Sequence, residues 1–198
     1  TLGLMLCGLH QPTSGTIKYF GRGGEQITTD LVCGRVSAVL QQPERQFFLP
    51  TCAEEVAFGP QNFDRPLDAE GIKQFLDMAG LNWEVFSERD PFRLSGGEKR
   101  RLAFAAVLSM MPQIVILDEP TCGLDQEGVG RFIVLAQALH ERGKGLVVIT
   151  HDGDILQALA DRILRLDNDG NGQAFRRETF FADEQLAGTV SPRTWSLG

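Results

Sequence analysis

The stretch Ile114-Val-Ile-Leu-Asp-Glu-Pro120 is four aliphatic residues followed by two carboxylates and a proline. A continuously apolar run of this length is typical of a strand that is buried on both faces of a parallel sheet. Pro120 disfavours a helical backbone at Glu119, so we expect the chain to stay extended or to turn there. The two carboxylates are therefore predicted to stand where a buried strand leaves its sheet.

Two further segments, 36–40 and 146–150, have the same aliphatic and β-branched character. Patterns with helical spacing, such as 69–79 and 129–139, alternate with these strand patterns. Such alternation predicts an α/β fold with a parallel sheet and crossover helices. Helical patterns dominate residues 43–111, so we predict that this segment is a mostly helical subdomain inserted in the α/β core.

A polar side chain follows each predicted strand. Gln41 follows the first, Asp118 and Glu119 follow the second, and His151 follows the third. Ligands of open parallel sheets bind outside the carboxyl ends of the strands, where loops bring side chains together. These four residues can handle metal, water or phosphate, so the pattern predicts a site at this edge of the sheet.

A second motif is Leu94-Ser-Gly-Gly-Glu98. Ser95 and Glu98 have the spacing of a capping box, which predicts that a helix begins here. The motif has two interpretations: a well-capped helix with a flexible start, or a helix N-terminus left open to an anion by its glycines. We favour phosphate binding, because two glycines are costly at a helix start unless something approaches closely. The basic run 99–101 is expected to lie mostly on a solvated helix face.

Composition sets the broad class. The chain has 198 residues, 42% hydrophobic and 23% charged, with a formal net charge of −7. These values fit one globular domain, and the acidic balance argues against a general nucleic-acid binder. The cysteines form no C-x-x-C pair, so neither a zinc site nor a disulfide framework is predicted.

Together these motifs resemble ATP-binding-cassette (ABC) ATPases, and their order matches that family from Thr1 to about Leu166. The matching elements are the signature motif at 94–98, the Walker B strand with its catalytic glutamate at 114–120, the D-loop at 123–125, the Q-loop glutamine Gln41 and the switch histidine His151. The resemblance implies a P-loop NTPase fold of ABC type. Residues 1–198 would then form one partial ABC ATPase domain.

The segment Gln41–Thr51, with Glu54–Pro60 after it, is similar to energy-coupling-factor ATPases, which drive the import of vitamins and transition-metal ions. That similarity implies a subunit that binds and hydrolyses ATP to power a membrane importer, at the cytoplasmic face of the cell membrane. The implied partners are a second ABC ATPase subunit, identical or different, in a head-to-tail dimer and a transmembrane coupling subunit, with no nucleic acid. The alternatives are a soluble ABC ATPase of translation or DNA repair, and a non-hydrolysing cassette subunit.

The resemblance also implies a role for each site residue, with ATP and Mg²⁺ as the cofactors. Asp118 and Gln41 would contact Mg²⁺, Glu119 would act on the attacking water, and His151 would contact the γ-phosphate. Thr1 would lie beside the α-phosphate. The ATP of the facing subunit would be contacted by Ser95, Gly96 and Gly97, with Asp125 at the same interface.

The family's P-loop, G-x-x-x-x-G-K-[ST], does not occur in the sequence. The resemblance places it immediately before Thr1, so we expect that the chain is truncated at its N-terminus, without the P-loop and the strands leading into it. We also expect that this chain alone binds ATP·Mg²⁺ weakly and is inactive, because the P-loop supplies the main phosphate contacts. The transported solute is not encoded in an ATPase subunit and stays open.

Residues 167–198 are predicted to form a C-terminal hairpin and tail. Asp167–Gly172, followed by Glu178, matches the EF-hand calcium pattern. An EF-hand needs a helix on each side, whereas Arg162–Leu166 alternates like a strand. We therefore interpret the segment as the turn of a β-hairpin.

Overall fold

The computed structural model describes residues 2–21, 23–28, 32–167 and 169–190. The chain divides into two compact units, and each is described by itself. The first unit contains the residues up to 123 together with 143–149, and the second contains 124–142 and the residues from 150 onward. Thr1, the predicted α-phosphate contact, lies outside the described residues.

The elements of the first unit are, in chain order, α1 (Leu2–Leu6), β1 (Tyr19–Phe20), β2 (Gln26–Ile27), β3 (Val36–Val39), a 3₁₀ turn (Pro43–Gln46), α2 (Cys52–Asn62), α3 (Ala69–Met78), α4 (Trp83–Phe86), a second 3₁₀ turn (Pro91–Arg93), α5 (Gly96–Ser109), β4 (Ile114–Asp118) and β5 (Gly145–Ile149). The elements of the second unit are α6 (Gln126–Glu141), α7 (Gly153–Leu159), β6 (Arg162–Leu166), β7 (Gly172–Arg176), α8 (Arg177–Ala182) and α9 (Glu184–Ala187).

A three-stranded parallel sheet, in the order β3-β4-β5, forms the centre of the first unit. The middle strand is the most deeply buried, with Val115, Ile116 and Leu117 at most 1% exposed. Burial on both faces accounts for its continuously apolar sequence. The three predicted strands are therefore confirmed as a parallel α/β core.

Helix α1 packs against this sheet at Gly3. A Cβ atom at Gly3 would lie 3.1 Å from Ile149 Cδ1 and 3.3 Å from Ile116 Cγ2. Glycine at this position lets the helix backbone lie against the sheet without displacing either isoleucine side chain. Within α1, Gly3 is therefore the residue that lies buried against the sheet.

Helices α2 and α5 pack together closely, and a proline inside α2 shapes their contact. Pro60 has no N–H, so it cannot donate the helical hydrogen bond to the carbonyl of Val56. The completely buried hydroxyl of Ser109 on α5 lies 2.7 Å from that carbonyl, to which it can donate, and 2.8 Å from the carbonyl of Ala106 in its own helix. Beside it, a Cβ at Gly59 would lie 2.5 Å from Met110 Cγ. The sequence Gly-Pro in α2 therefore fits the surface of α5.

The second unit contains an antiparallel hairpin of β6 and β7. The pair Ile163 and Phe175 joins the hairpin, and Phe175 meets the buried ring of Phe180 edge-on at 5.7 Å. Asp167 Oδ1 accepts hydrogen bonds from the N–H groups of Asp169 and Asn171, so the carboxylate stabilises the turn itself. Strands β6 and β7 flank the Asp-rich segment, where an EF-hand needs helices.

Among the described residues, no helix combines the length and the apolar character needed to cross a membrane.

The Ser109 hydroxyl gives a first prediction. Ser109→Ala should lower the free energy of unfolding by about 1–3 kcal/mol, because the buried Val56 carbonyl loses its donor. In a Pro60→Ala background the new N–H of residue 60 can serve that carbonyl, so the same change should cost about 1 kcal/mol less. Urea unfolding of the four proteins measures both losses. Equal losses in the two backgrounds would contradict this explanation of the contact.

Candidate functional site

The carboxyl ends of the three parallel strands lie at the same level. Val39 pairs with Leu117, and Asp118 pairs with Ile149. Gln41 follows β3 by two residues, and Asp118 is the last residue of β4. The register therefore brings Gln41, Asp118 and Glu119 to one edge of the sheet, as the sequence predicts.

The backbone of Glu119 is left-handed, with φ 47°. This conformation costs a residue with a Cβ about 1–2 kcal/mol. Its N–H donates to the carbonyl of Ile149 at 2.9 Å, and its carbonyl accepts from the N–H of Cys122 at 3.2 Å. The sequence predicted an extended or turning backbone here, and the structure has a turn fixed by these two bonds. Asp64 and Met111 share this left-handed backbone, so it is the place of Glu119 at the end of β4, together with the strain, that points to a functional role.

Both carboxylates at the end of β4 are half-buried. In the described part of the chain, no group of three or more His, Cys, Asp or Glu side chains is arranged to hold a metal. Mg²⁺ is commonly held by one or two carboxylates together with substrate phosphates and water. One or two oxygen ligands at a strand end therefore fit Mg²⁺ that arrives with a nucleotide, whereas they do not fit a closed structural metal site.

The predicted capping box is present at the start of α5. The Ser95 N–H donates to Glu98 Oε2 at 2.7 Å, and the Glu98 N–H donates to Ser95 Oγ at 3.4 Å. Open space surrounds Gly96 and Gly97: a Cβ at either would have no atom within 4 Å. Neither glycine is required by internal packing, so the open helix start agrees with the interpretation that a ligand approaches it.

Arg100 links this helix to the loop after β4, because its guanidinium donates to the carbonyl of Cys122. Lys99, Arg100 and Arg101 are all half-buried, so the expectation of a solvated face was wrong. Helical periodicity does not reveal this link, since it joins residues that are 22 positions apart. The link connects the start of α5, just after the 94–98 motif, to the loop that follows Glu119.

The other two predicted site residues, Asp125 and His151, belong to the second unit. Asp125 caps α6, and its Oδ1 accepts from the N–H of Gly128 at 2.8 Å. His151 is exposed and stands between Thr150 and Asp152, which are joined by a hydrogen bond from the Asp152 N–H to Thr150 Oγ1 at 3.1 Å. Both residues therefore lie in segments that local hydrogen bonds hold in place.

The capping box predicts a pH effect. The hydrogen bond from the Ser95 N–H lowers the pKa of the Glu98 carboxyl, and a side-chain hydrogen bond with Ser95 lowers it further. Because the folded-state pKa is lowered, the ionised carboxylate stabilises the fold above its unfolded pKa of about 4.3. This stabilisation is lost as the pH falls through the lowered pKa.

Glu98→Gln keeps an acceptor for Ser95 but does not titrate. Its melting temperature should fall less between about pH 5 and about pH 3 than that of the unaltered protein. Glu88→Gln, which makes the same change at an exposed position, is the control and should keep the normal fall. The same fall in both variants would contradict the assignment.

Comparisons with known proteins agree with these features. A family model described as "ABC transporter" matches residues 1–122. A putative ABC transporter ATP-binding protein of Pyrococcus furiosus is 40% identical over 170 residues, which are 85% of this chain and 65% of that protein. An energy-coupling factor transporter ATP-binding protein of Latilactobacillus sakei is 38% identical over 196 residues, 93% of this chain and 66% of that protein. The chain thus spans slightly less than two thirds of these relatives' length.

Solved structures show the same fold. The cbiO1 protein of Clostridium perfringens, described as part of an ABC transporter complex, has a TM-score of 0.69 and 27% identity over 93% of this chain and 75% of that one. An ATP-binding cassette solved as a dimer with ADP and Pi has a TM-score of 0.73 and 27% identity, over 89% of this chain and 79% of that one. The parallel sheet, the motifs and the relatives give one answer: this chain belongs to the ATPase family of the ABC transporters.

Proposed function

We propose that the chain is the ATP-binding and ATP-hydrolysing part of a subunit that powers an importer of the energy-coupling-factor type. The observation that carries this proposal is the strand register, which places Gln41, Asp118 and Glu119 at one sheet edge, with the backbone of Glu119 in a left-handed turn. Relatives named energy-coupling factor transporter ATP-binding proteins support the choice of importer. The proposal concerns the whole protein, since the chain spans only part of its relatives.

Asp118 would hold Mg²⁺ through a carboxylate oxygen, with Gln41 beside it. When bound, Mg²⁺ neutralises charge on the β- and γ-phosphates. Glu119 would accept a hydrogen bond from the attacking water and orient it, or take its proton. His151 would donate a hydrogen bond to the γ-phosphate, which its imidazole can do in either protonation state.

The open start of α5 would serve the nucleotide of a second ATPase subunit. The N–H groups at Gly96 and Gly97 and the Ser95 hydroxyl would meet its phosphates, with Asp125 at the same interface. This assignment gives the working unit a head-to-tail arrangement of two cassettes, either identical or different. ATP would favour the closed pair and hydrolysis would release it, because the ligand binds the closed state better.

A transmembrane coupling subunit needs a surface to dock on, and two exposed aromatic rings supply a candidate. Phe48 and Phe58 are 59% and 40% exposed, and their rings meet edge-on at 4.7 Å. Exposed paired aromatics mark interaction surfaces more often than scattered single ones do. Phe48 follows Gln41 by seven residues, so a partner helix docked here would contact a segment that is close in sequence to the proposed site. Docked in this way on a transmembrane subunit, the ATPase subunit would lie at the cytoplasmic face of the membrane.

The role of Glu119 is tested with Glu119→Gln in the full-length product of the gene. The change keeps the side-chain volume but removes the base, so hydrolysis should fall at least about 100-fold. Binding of ATP, and ATP-dependent pairing of cassettes, should remain. Phosphate release and sedimentation with ATP·Mg²⁺ or ADP·Mg²⁺ measure these two properties.

Normal turnover of Glu119→Gln would remove Glu119 from the mechanism. Absence of hydrolysis in the unaltered full-length protein would instead favour a non-hydrolysing cassette subunit.

A further inference from the structure

The outer edge of β3 has few strand partners. One side of β3 pairs with β4 over Val36–Val39. On its other side, within the residues the structure describes, the only strand-like contact is a single bridge from Cys33 to Val36. The carboxyl end of β3, just before Gln41, therefore needs another partner for its outward backbone groups.

The side chain of Gln46 is that partner. Its Nε2 donates to the carbonyl of Ala38 at 3.1 Å, and its Oε1 accepts from the N–H of Leu40 at 3.2 Å. A residue of a neighbouring parallel strand makes the same two bonds, donating to one carbonyl and accepting from the N–H two residues later. The amide of Gln46 thus extends the sheet by one residue at the point where the chain leaves it.

The chain after β3 continues as the segment 41–49, and Glu55 on α2 fixes the far end of this segment. This side chain is 5% exposed, and its Oε1 accepts the N–H groups of Phe48 at 2.6 Å and Leu49 at 2.7 Å. Between the two attachments, Pro43 and Phe47 are buried. The segment 41–49 is therefore held at both ends. Gln46 binds the backbone just before it, and Glu55 binds the backbone of its last two residues.

We propose that Gln46 is a positioning residue that sets the place of Gln41 at the carboxyl end of β3. Leu40 is held by the amide of Gln46, and Gln41 is the next residue, so the direction in which its side chain leaves the sheet depends on that bond. The kinetic consequence rests on the proposed function, in which Gln41 lies beside Mg²⁺ and the attacking water.

A double-mutant cycle in the full-length protein tests the proposal. Gln46→Met keeps the length of the side chain and removes both hydrogen bonds. It should lower kcat for ATP hydrolysis about tenfold and leave KM for ATP within about twofold, since it disturbs positioning and not the main nucleotide contacts. In a Gln41→Ala background the same change should lower kcat no further, because Gln46 acts through Gln41.

Gln74→Met, the same substitution at an exposed position of α3, is the control and should leave kcat unchanged. A loss of the same size in both the Gln41 and the Gln41→Ala backgrounds would overturn the proposal.

Hydrogen exchange separates this proposal from the proposed function, because it needs no nucleotide. In Gln46→Met the amide of Leu40 should exchange at least about tenfold faster, while that of Ile116 in β4 keeps its rate. If the unaltered protein hydrolyses no ATP, the proposed function fails and the exchange rate of Leu40 still decides the positioning role. Unchanged exchange at Leu40 would overturn it.

Discussion

The position of β4 between two parallel neighbours is the constraint on which the rest of the first unit depends. Its three central side chains are buried, and its backbone pairs residue by residue with β3 and β5. That pairing fixes the level at which Asp118 ends the strand. Beyond Asp118, the N–H of Glu119 donates to the carbonyl of Ile149, and the backbone of Glu119 is left-handed. The backbone positions of Asp118 and Glu119 are therefore a consequence of sheet register.

A few side-chain-to-backbone hydrogen bonds join the helical elements to one another and to the segments that follow the strands of this sheet. Ser109 serves the carbonyl that Pro60 leaves without a donor, and Arg100 bonds the loop after β4. Gln46 and Glu55 hold the two ends of the segment that carries Gln41 and Phe48. Each contact joins side chain to backbone, so each fixes the path of the chain as well as adding stability.

The sequence predicts well those features that depend on neighbouring residues. Apolar runs placed β3, β4 and β5, and the capping box placed the start of α5 at Ser95. The Asp-rich turn after Leu166 was identified as a hairpin because the residues before it alternate. Features that join distant residues were not predictable in this way. The left-handed backbone of Glu119, the bond from Arg100 to Cys122 and the amide of Gln46 on β3 all depend on tertiary packing. The catalytic and binding roles themselves stay predictions.

In the proposed function, the carboxylates at the end of β4 support Mg²⁺-dependent ATP hydrolysis. Steady-state phosphate release by the full-length product of the gene, compared with its Asp118→Asn variant, tests it most directly. We expect saturable hydrolysis that requires Mg²⁺ and falls at least about 100-fold in Asp118→Asn, because an amide holds the metal poorly. Equal, Mg²⁺-dependent rates in the two proteins would contradict it.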